Sequence, residues 1–234
     1  ALLPLVQGGM GVGISAHRLA GSVAAQGPVG TISSIDLRRH HPDLMARTQA
    51  EGTGPRAKAT VDAANLEALQ REFDAIAADE SVRVVVLAAT GRAFCAGHDL
   101  KEMRAAPSLA YYQRLFAQCT AMMLSIQRLP VPVIARVQGI ATAAGCQLVA
   151  QCDLAVAARS ARFAVSGVNL GLFCSTPSVA LSRNVARKQA FEMLVTGEFI
   201  SADQARERGL VNRVADDDAL DAELATLIDS ILAK

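Results

Sequence analysis

The sequence predicts an α/β fold in which helices and strands pack in layers. Segments of strand character, such as Arg83 to Ala89, alternate along the chain with segments whose apolar residues recur at helical spacing. Of the 234 residues, 51% are apolar, which is enough for a large buried core. The chain contains no internal repeat of the kind that builds solenoids.

The first part of the chain predicts a β-α-β unit. Apolar runs at Leu2 to Met10 and Val29 to Leu37 are typical of strands, and the residues between them have helical spacing. The stretch from Gly52 to Pro55 is then the most linker-like of the sequence. We therefore expect two parts, residues 1–60 and residues 61–234.

The second part predicts helices and strands in alternation. Leu66, Leu69, Phe73 and Ile76 form one helical stripe, and a longer one runs from Leu109 to Ile126. The run from Arg83 to Ala89 is apolar enough for a strand buried on both faces. Further strands are expected at 132–137 and 153–157, and further helices near 187–194, at 202–208 and from 218 onward.

Composition argues against several classes of partner. The formal net charge is +1 and basic residues are spread along the chain, so we expect no nucleic-acid partner. Polar residues interrupt every long apolar run, which predicts no membrane span. The five cysteines have no metal-site spacing, and their odd number predicts free thiols in a reducing compartment, the cytoplasm. The chain does not begin with Met, so we interpret its start as trimmed or engineered.

Two similar loops carry the strongest functional signal. GRAFCAGHDLKEM (91–103) and GIATAAGCQL (139–148) each leave a strand, turn at small residues and enter a helix. In such a turn a backbone N–H points outward without a partner in the helix, where it favours negative charge. Two such donors on one carbonyl oxygen would form an oxyanion hole, although each turn taken alone is more typical of an ordinary helix start.

These loops, together with RVVVLAAT, QLVAQCDLAVAA, FAVSGVNLGL and LVTGEFISADQARERGLVNRV, resemble the enoyl-CoA hydratase/isomerase (crotonase) superfamily in order and spacing. The resemblance covers residue 65 to the C-terminus. It implies a β-β-α spiral that binds acyl-CoA without a cofactor of its own and assembles as a homotrimer or hexamer. It also implies that the N–H groups of His98 and Ala144 hold the thioester oxygen. The substrate-contacting residues that it implies in the two loops are Ala96, Gly97, Asp99, Leu100 and Gly145.

The sequence departs from that family at its acid–base residues. Hydratases carry two glutamates, which align with Gln147 and Gly167, and both positions are expected to line the substrate pocket. Neither an amide nor a glycine titrates near neutral pH, so ordinary hydration should be crippled. The glutamate of some family isomerases aligns near Ser175, so that route lacks its proton carrier too. Glutamates restored at both hydratase positions are expected to raise hydration.

Three functions stay open at this point. GLFCSTP resembles a hydratase-domain branch without the glutamates, which favours an acyl-CoA protein of hydratase/isomerase type with an oxyanion hole alone. AGHDL and VNLG resemble methylmalonyl-CoA decarboxylase, whose reaction needs no base because loss of CO₂ itself generates the enolate. The tyrosine of that branch, however, aligns near Cys174. The third possibility is a recombined or engineered scaffold without turnover.

Several side chains have a structural interpretation beside a functional one. The imidazole of His98 titrates near neutral pH, but we expect its backbone to matter. Cys174 is expected to line the pocket rather than act as a nucleophile, since no histidine partner is identifiable. Asp99 is predicted to cap a helix and Asp153 to make a structural hydrogen bond. The pair His40-His41 is interpreted as a solvated loop and not as a metal site.

The chain up to Leu69 resembles a different family. PLVQGGMGVGISAHRLAGSVAAQGPVGTISSIDLRRHHPDLMART is similar to the N-terminus of nitronate monooxygenase (2-nitropropane dioxygenase), a flavin enzyme built on an eight-fold βα barrel. The resemblance implies a chimera, natural or constructed, whose β-α-β segment of barrel origin covers a sheet edge. In that family the backbone around Gly8, Gly9 and Met10 lies near FMN. The strands that hold its phosphate have no counterpart here, so we expect no FMN.

Overall fold

The strands form two sheets. The structure is a computed structural model that describes the backbone of residues 29–33 and, in full, residues 60–89, 91–105 and 107–234. In chain order the described strands are Val29–Ser33 (β1), Val84–Ala88 (β2), Ala93–Cys95 (β3), Val133–Val137 (β4), Ile140–Thr142 (β5), Leu154–Ala158 (β6), Arg162–Ala164 (β7), Ile200–Ser201 (β8) and Arg213–Ala215 (β9).

From β2 to β7, successive strands alternate between the two sheets. The larger sheet has the order β1-β2-β4-β6-β9 and is parallel throughout. The smaller sheet has the order β3-β5-β7-β8, parallel except for its last pair. The pairs β2–β3, β4–β5 and β6–β7 therefore each place one strand in each sheet before the chain enters a helix or a helical turn. This arrangement confirms the α/β class and the β-β-α spiral that the resemblance implied.

Most of the helices occupy positions that the sequence predicted, and the helix Ser175–Asn184 was not among the predictions. The stripe from Leu66 to Ile76 is buried on its helix, whereas Leu109, predicted as core, is 75% exposed at the first residue of its helix. The described helices are Ala63–Ala77 (α1), Leu100–Ala105 (α2), Leu109–Arg128 (α3), Ala144–Gln151 (α4), Ser175–Asn184 (α5), Arg187–Thr196 (α6), Ala202–Glu207 (α7) and Leu220–Leu232 (α8), with a 3₁₀ helix at Ser166–Leu170.

Both faces of the larger sheet are covered, as predicted for β2. Val85 and Leu87 belong to the main core, where α1, α3 and α4 pack. Val84 and Val86 point the other way, into a second apolar cluster that includes one face of α8. Because side chains alternate along a strand, a strand with helices on both sides needs an uninterrupted apolar sequence.

One strand of the predicted N-terminal unit is described. Val29–Ser33 pairs in parallel with Val84–Ala88 and is the outermost of the described strands on that side of the larger sheet. The predicted strand at Leu2 to Met10, the helix after it and the pair His40-His41 lie outside the described residues. The division into residues 1–60 and 61–234 stays a prediction.

Candidate active site

The loops singled out from the sequence meet at one edge of the smaller sheet. Strands β3, β5 and β7 are parallel neighbours, paired through Cys95 with Ala141 and Thr142 with Ala164. Their carboxyl ends therefore lie side by side, the usual position for a site in a parallel sheet. The loops that leave these three ends carry His98, Ala144 and Gly167.

The first loop turns at a glycine that the geometry requires. Gly97 has φ +89°, and a Cβ there would lie 3.0 Å from the Cβ of Ala143. Beyond the turn, the Asp99 side chain accepts hydrogen bonds from the backbone N–H of Lys101 at 2.9 Å and of Glu102 at 3.3 Å. The predicted helix cap at Asp99 is thus confirmed, and its buried carboxylate serves the start of α2. The flanking Ala96 and Leu100 are exposed.

The His98 side chain turns back toward the start of α1. Its Nδ1 lies 3.0 Å from the backbone oxygen of Val61. A carbonyl can only accept, so Nδ1 carries the proton and Nε2 is bare in the neutral ring. The ring meets Phe116 edge-on at a centroid distance of 5.6 Å. Burial lowers the pKa of His98, against the opposing effect of the Val61 hydrogen bond, and so favours the neutral imidazole.

The second loop is strained one residue before its donor. Ala143 has φ 51° and ψ −120°, a conformation that glycine adopts freely and alanine does not. Its N–H donates to the Ala164 oxygen at 3.0 Å, and this bond ties the turn to β7. Gly145 is equally constrained, because a Cβ there would overlap the carbonyl oxygen of Cys95. Its role is close packing of α4 on β3.

The two predicted donors lie on loops in van der Waals contact. A Cβ built on Gly97 would be 3.4 Å from the nitrogen of Ala144. Within the described residues, neither the His98 N–H nor the Ala144 N–H has a hydrogen-bond acceptor. Ala144 is also the first residue of α4, where the aligned peptide dipoles favour negative charge. As far as the described residues are concerned, both amides can therefore donate to an electronegative atom of a ligand.

Gln147, the position predicted to align with the first family glutamate, is a buried amide whose oxygen has no partner among the described residues. Gln147 is 7% exposed, and its Oε1 accepts no hydrogen bond from the residues that the structure describes. Buried polar atoms are normally paired, so an orphaned amide oxygen on the helix that begins at Ala144 is typical of a ligand site.

Beside Gly167, the position predicted to align with the second family glutamate, lies the thiol of Cys174. The Gly167 N–H donates to the Cys174 sulfur at 3.2 Å, and a Cβ on Gly167 would lie 2.7 Å from that sulfur and overlap the Leu172 oxygen. Burial raises the pKa of the Cys174 thiol, which keeps it protonated and a poor nucleophile. A glutamate restored at Gly167 would need the loop to move, because an added side chain meets the Cys174 sulfur and the Leu172 oxygen, and the expectation that it raises hydration stays a prediction.

Other predicted features have clear outcomes. The Asp153 carboxylate accepts from the Val133 N–H at 2.8 Å, which confirms its structural role. No group of His, Cys, Asp and Glu suited to a metal ion occurs in the described ranges. No helix of the described part is long and apolar enough to cross a bilayer. The sequence analysis did not find Val61 and Ala143, because no sequence pattern indicates which backbone carbonyl accepts a hydrogen bond or which alanine has a positive φ.

Comparison with known proteins identifies the family. The model of the enoyl-CoA hydratase/isomerase family matches residues 53–234, and the chain belongs to that family. It is 42% identical over 216 residues to mouse enoyl-CoA hydratase domain-containing protein 3, mitochondrial, covering 90% of this chain and 70% of that protein. It is 35% identical to 2,3-dehydroadipyl-CoA hydratase of Escherichia coli over 181 residues, 77% of this chain and 69% of that protein.

A solved structure supports the same fold. The crystal structure of an enoyl-CoA hydratase from Mycobacterium smegmatis matches with a TM-score of 0.76 and 61% identity, covering 88% of this chain and 74% of that one. Against the rat, frog, zebrafish and human forms of domain-containing protein 3, the chain spans 65%, 64%, 58% and 63% of their length.

These relatives bear on the remaining expectations. Domain-containing protein 3 agrees with the hydratase-domain branch that GLFCSTP suggested. The names of its vertebrate forms place them in mitochondria, so the cytoplasmic expectation gains no support. The likeness of the first segment to nitronate monooxygenase, the chimera that it implies and the lack of FMN stay predictions.

Proposed function

We propose that the chain binds an acyl-CoA thioester with its carbonyl oxygen between the N–H groups of His98 and Ala144, and that it stabilises the enolate of that thioester. The observation that carries the proposal is the pair of unpaired amides on adjoining loops. Preorganised donors of this kind act where charge develops, and each contributes about 3 kcal/mol to transition-state stabilisation in other enzymes. The family supplies the substrate class.

The side chains around the amides limit the chemistry. Hydration needs a base for water and an acid for the α-carbon. The two aligned positions offer a neutral amide at Gln147 and, beside Gly167, a thiol whose pKa is raised by burial. The active site thus retains electrostatic stabilisation and lacks a carboxylate pair, so we expect weak or no hydration of crotonyl-CoA.

A second candidate reaction follows from the same observation. Loss of CO₂ from a thioester with a carboxylate beta to the carbonyl generates the enolate without a base. Methylmalonyl-CoA is therefore the better substrate to test. The assay compares CO₂ release from methylmalonyl-CoA with hydration of crotonyl-CoA in one preparation. Hydration at the rate of a competent hydratase would contradict the proposed limits.

Binding separates the enzyme from an inert scaffold. Isothermal titration with acetyl-CoA and with free CoA is expected to show heat for both and tighter binding of the thioester. Ala144→Pro, in an Ala143→Gly background that accommodates the turn, removes one donor at a helix position that tolerates proline. It should lower any turnover about a hundredfold. Arg187→Pro, at the same position of α6, is the matched control. No heat with either ligand would contradict the proposal.

A further inference from the structure

We propose that the His98 imidazole is a positioning group for the backbone N–H of its own residue, and that it acts through the main chain of Val61. The inference rests on the proposed function, in which that N–H holds the thioester oxygen. It assigns a side-chain role at a position where the proposed function uses only the backbone.

The direction of the His98 N–H is set at the other end of its peptide unit. The Gly97 C=O and the His98 N–H belong to one planar trans peptide, so they point in opposite directions. The Val61 N–H donates to the Gly97 oxygen at 2.9 Å. Wherever Val61 holds this oxygen, the His98 N–H is aimed the opposite way.

Val61 is in turn held by the imidazole. The Nδ1–H of His98 donates to the Val61 carbonyl at 3.0 Å, so Val61 uses both of its backbone groups on residues 97 and 98. These bonds form a closed cycle that runs from the His98 imidazole through Val61 and Gly97 back to the His98 amide. The residue after Val61 caps α1, with the Asp62 carboxylate accepting from Asn65 at 2.8 Å. This cycle of hydrogen bonds is therefore anchored on α1.

The surroundings keep the donor in place. The edge contact with Phe116 fixes the plane of the ring, and burial keeps the ring neutral with its proton on Nδ1. An imidazolium would also carry a proton on Nδ1, so the bond to Val61 survives protonation. Glycine at 97 permits the turn but leaves the peptide plane free to rotate. The imidazole, by way of Val61, removes that freedom.

The test reads carbonyl polarisation rather than turnover. Acetyl-CoA labelled with ¹³C at the carbonyl is bound to each variant, and isotope-edited infrared spectroscopy measures the downshift of the C=O stretch. His98→Ala should lose about half of the wild-type downshift, since one of two donors is misdirected. His98→Asn, whose amide nitrogen replaces Nδ1, should recover most of it, and His98→Gln should not. Val61→Pro, which removes the N–H on Gly97, should behave like His98→Ala.

A second readout does not depend on any ligand. Exchange of the Val61 amide hydrogen, followed by NMR, should be roughly tenfold faster in His98→Ala than in wild type and near the wild-type rate in His98→Asn. Gln118→Ala, which removes a hydrogen bond to the Ala63 carbonyl at the start of α1 and leaves the bonds of Val61 in place, is the matched control and should not change the exchange rate. If wild type shows no carbonyl downshift, the proposed function fails and amide exchange alone decides the positioning role. An unchanged downshift or unchanged Val61 exchange in His98→Ala overturns the inference.

Discussion

At the scale of single residues, the turn before α4 contains an alanine in a backbone conformation that strains alanine but not glycine. Ala143, at φ 51° and ψ −120°, directly precedes the donor nitrogen of Ala144. Such strain costs about 1–2 kcal/mol and persists where the surroundings over-determine it. Here the bond from Ala143 to Ala164 and the contact with Gly97 do so.

Ala143→Gly should therefore stabilise the protein. Glycine makes the unfolded chain more flexible, which lowers the free energy of unfolding by about 0.4–1 kcal/mol. Because the relief of strain is larger, the free energy of unfolding should rise by about 0.5–1 kcal/mol. Urea unfolding measures the change. The control Ala117→Gly, at an exposed position inside α3, should instead lose about 1 kcal/mol. Destabilisation of equal size in both variants would contradict a strained turn.

His98 should make stability depend on pH in a known direction. The pKa of His98 in the folded chain lies below its ordinary value of 6.5. When the pH falls below about 6.5, the unfolded chain therefore binds a proton on this residue that the folded chain does not yet bind. Stability is complete above pH 6.5 and is lost as the pH falls from there toward the lowered pKa. In His98→Asn the free energy of unfolding should change less between pH 7 and pH 5. Equal slopes in both proteins would contradict the buried neutral ring.

The sequence predicted the loops of the candidate site but not their support. Small residues between a strand and a helix indicated the two turns, and the family resemblance implied the N–H groups of His98 and Ala144 as donors, which stays a prediction. Val61 supports His98 through backbone atoms alone, and any residue type offers those atoms. The crowding of Gly167 depends on where the chain returns at Leu172, which is a tertiary contact and leaves no local signal.

At the scale of elements, the segment after β7 folds back so that its first residues pack against the residues that follow the 3₁₀ helix. The 3₁₀ helix Ser166–Leu170 begins beside Gly167, whose missing side chain makes room for the Cys174 thiol and the Leu172 oxygen. The segment therefore has a fixed shape at the position where the family carries its second glutamate.

Gly167→Ala should destabilise the protein by about 1–3 kcal/mol, because the added methyl group meets both neighbours. In a Cys174→Ala background the same change should cost less, with a coupling on the order of 1 kcal/mol. Chemical denaturation of the four proteins completes the cycle. Additive effects would show that the thiol does not occupy the space beside Gly167.

Periodicity predicted α1, α3 and β2, but it did not predict α5, whose buried face is formed by only a few residues. The stripe of α1 and the apolar run of β2 needed no tertiary information. The start of α3 did, since Leu109 continues the apolar pattern but is exposed. Periodicity predicts which face of a helix is apolar, and the neighbouring elements determine how far along the helix that face is covered.

At the scale of the whole molecule, the cysteines are distributed through the core. All five are free and buried. Burial raises the pKa of Cys95 to about 11 and those of Cys119 and Cys146 to about 12. Burial also raises the pKa of Cys152 and of Cys174. Thiolates are the reactive form, so none of these positions favours rapid chemistry near neutral pH.

We expect thiol labelling at pH 8 to require opening of the fold. A disulfide reagent should modify the native protein slowly, with Cys174 first, and all five cysteines within the mixing time in guanidinium. Intact-mass spectrometry counts the labels. One rapidly labelled thiol in the native protein would contradict this burial, and tryptic mapping would identify it.

The pairing of β1 with β2 has a consequence for the order of folding. Val29 and Val84 are neighbours in the sheet but distant along the chain, as are Val156 and Arg213 in β6 and β9, whereas Ile134 and Leu154 in β4 and β6 are much closer in sequence. Closing a longer loop costs more chain entropy. We therefore expect β4 and β6 to pair early and β1 to dock on β2 later. Until it docks, the backbone of β2 is an open template for intermolecular strand addition.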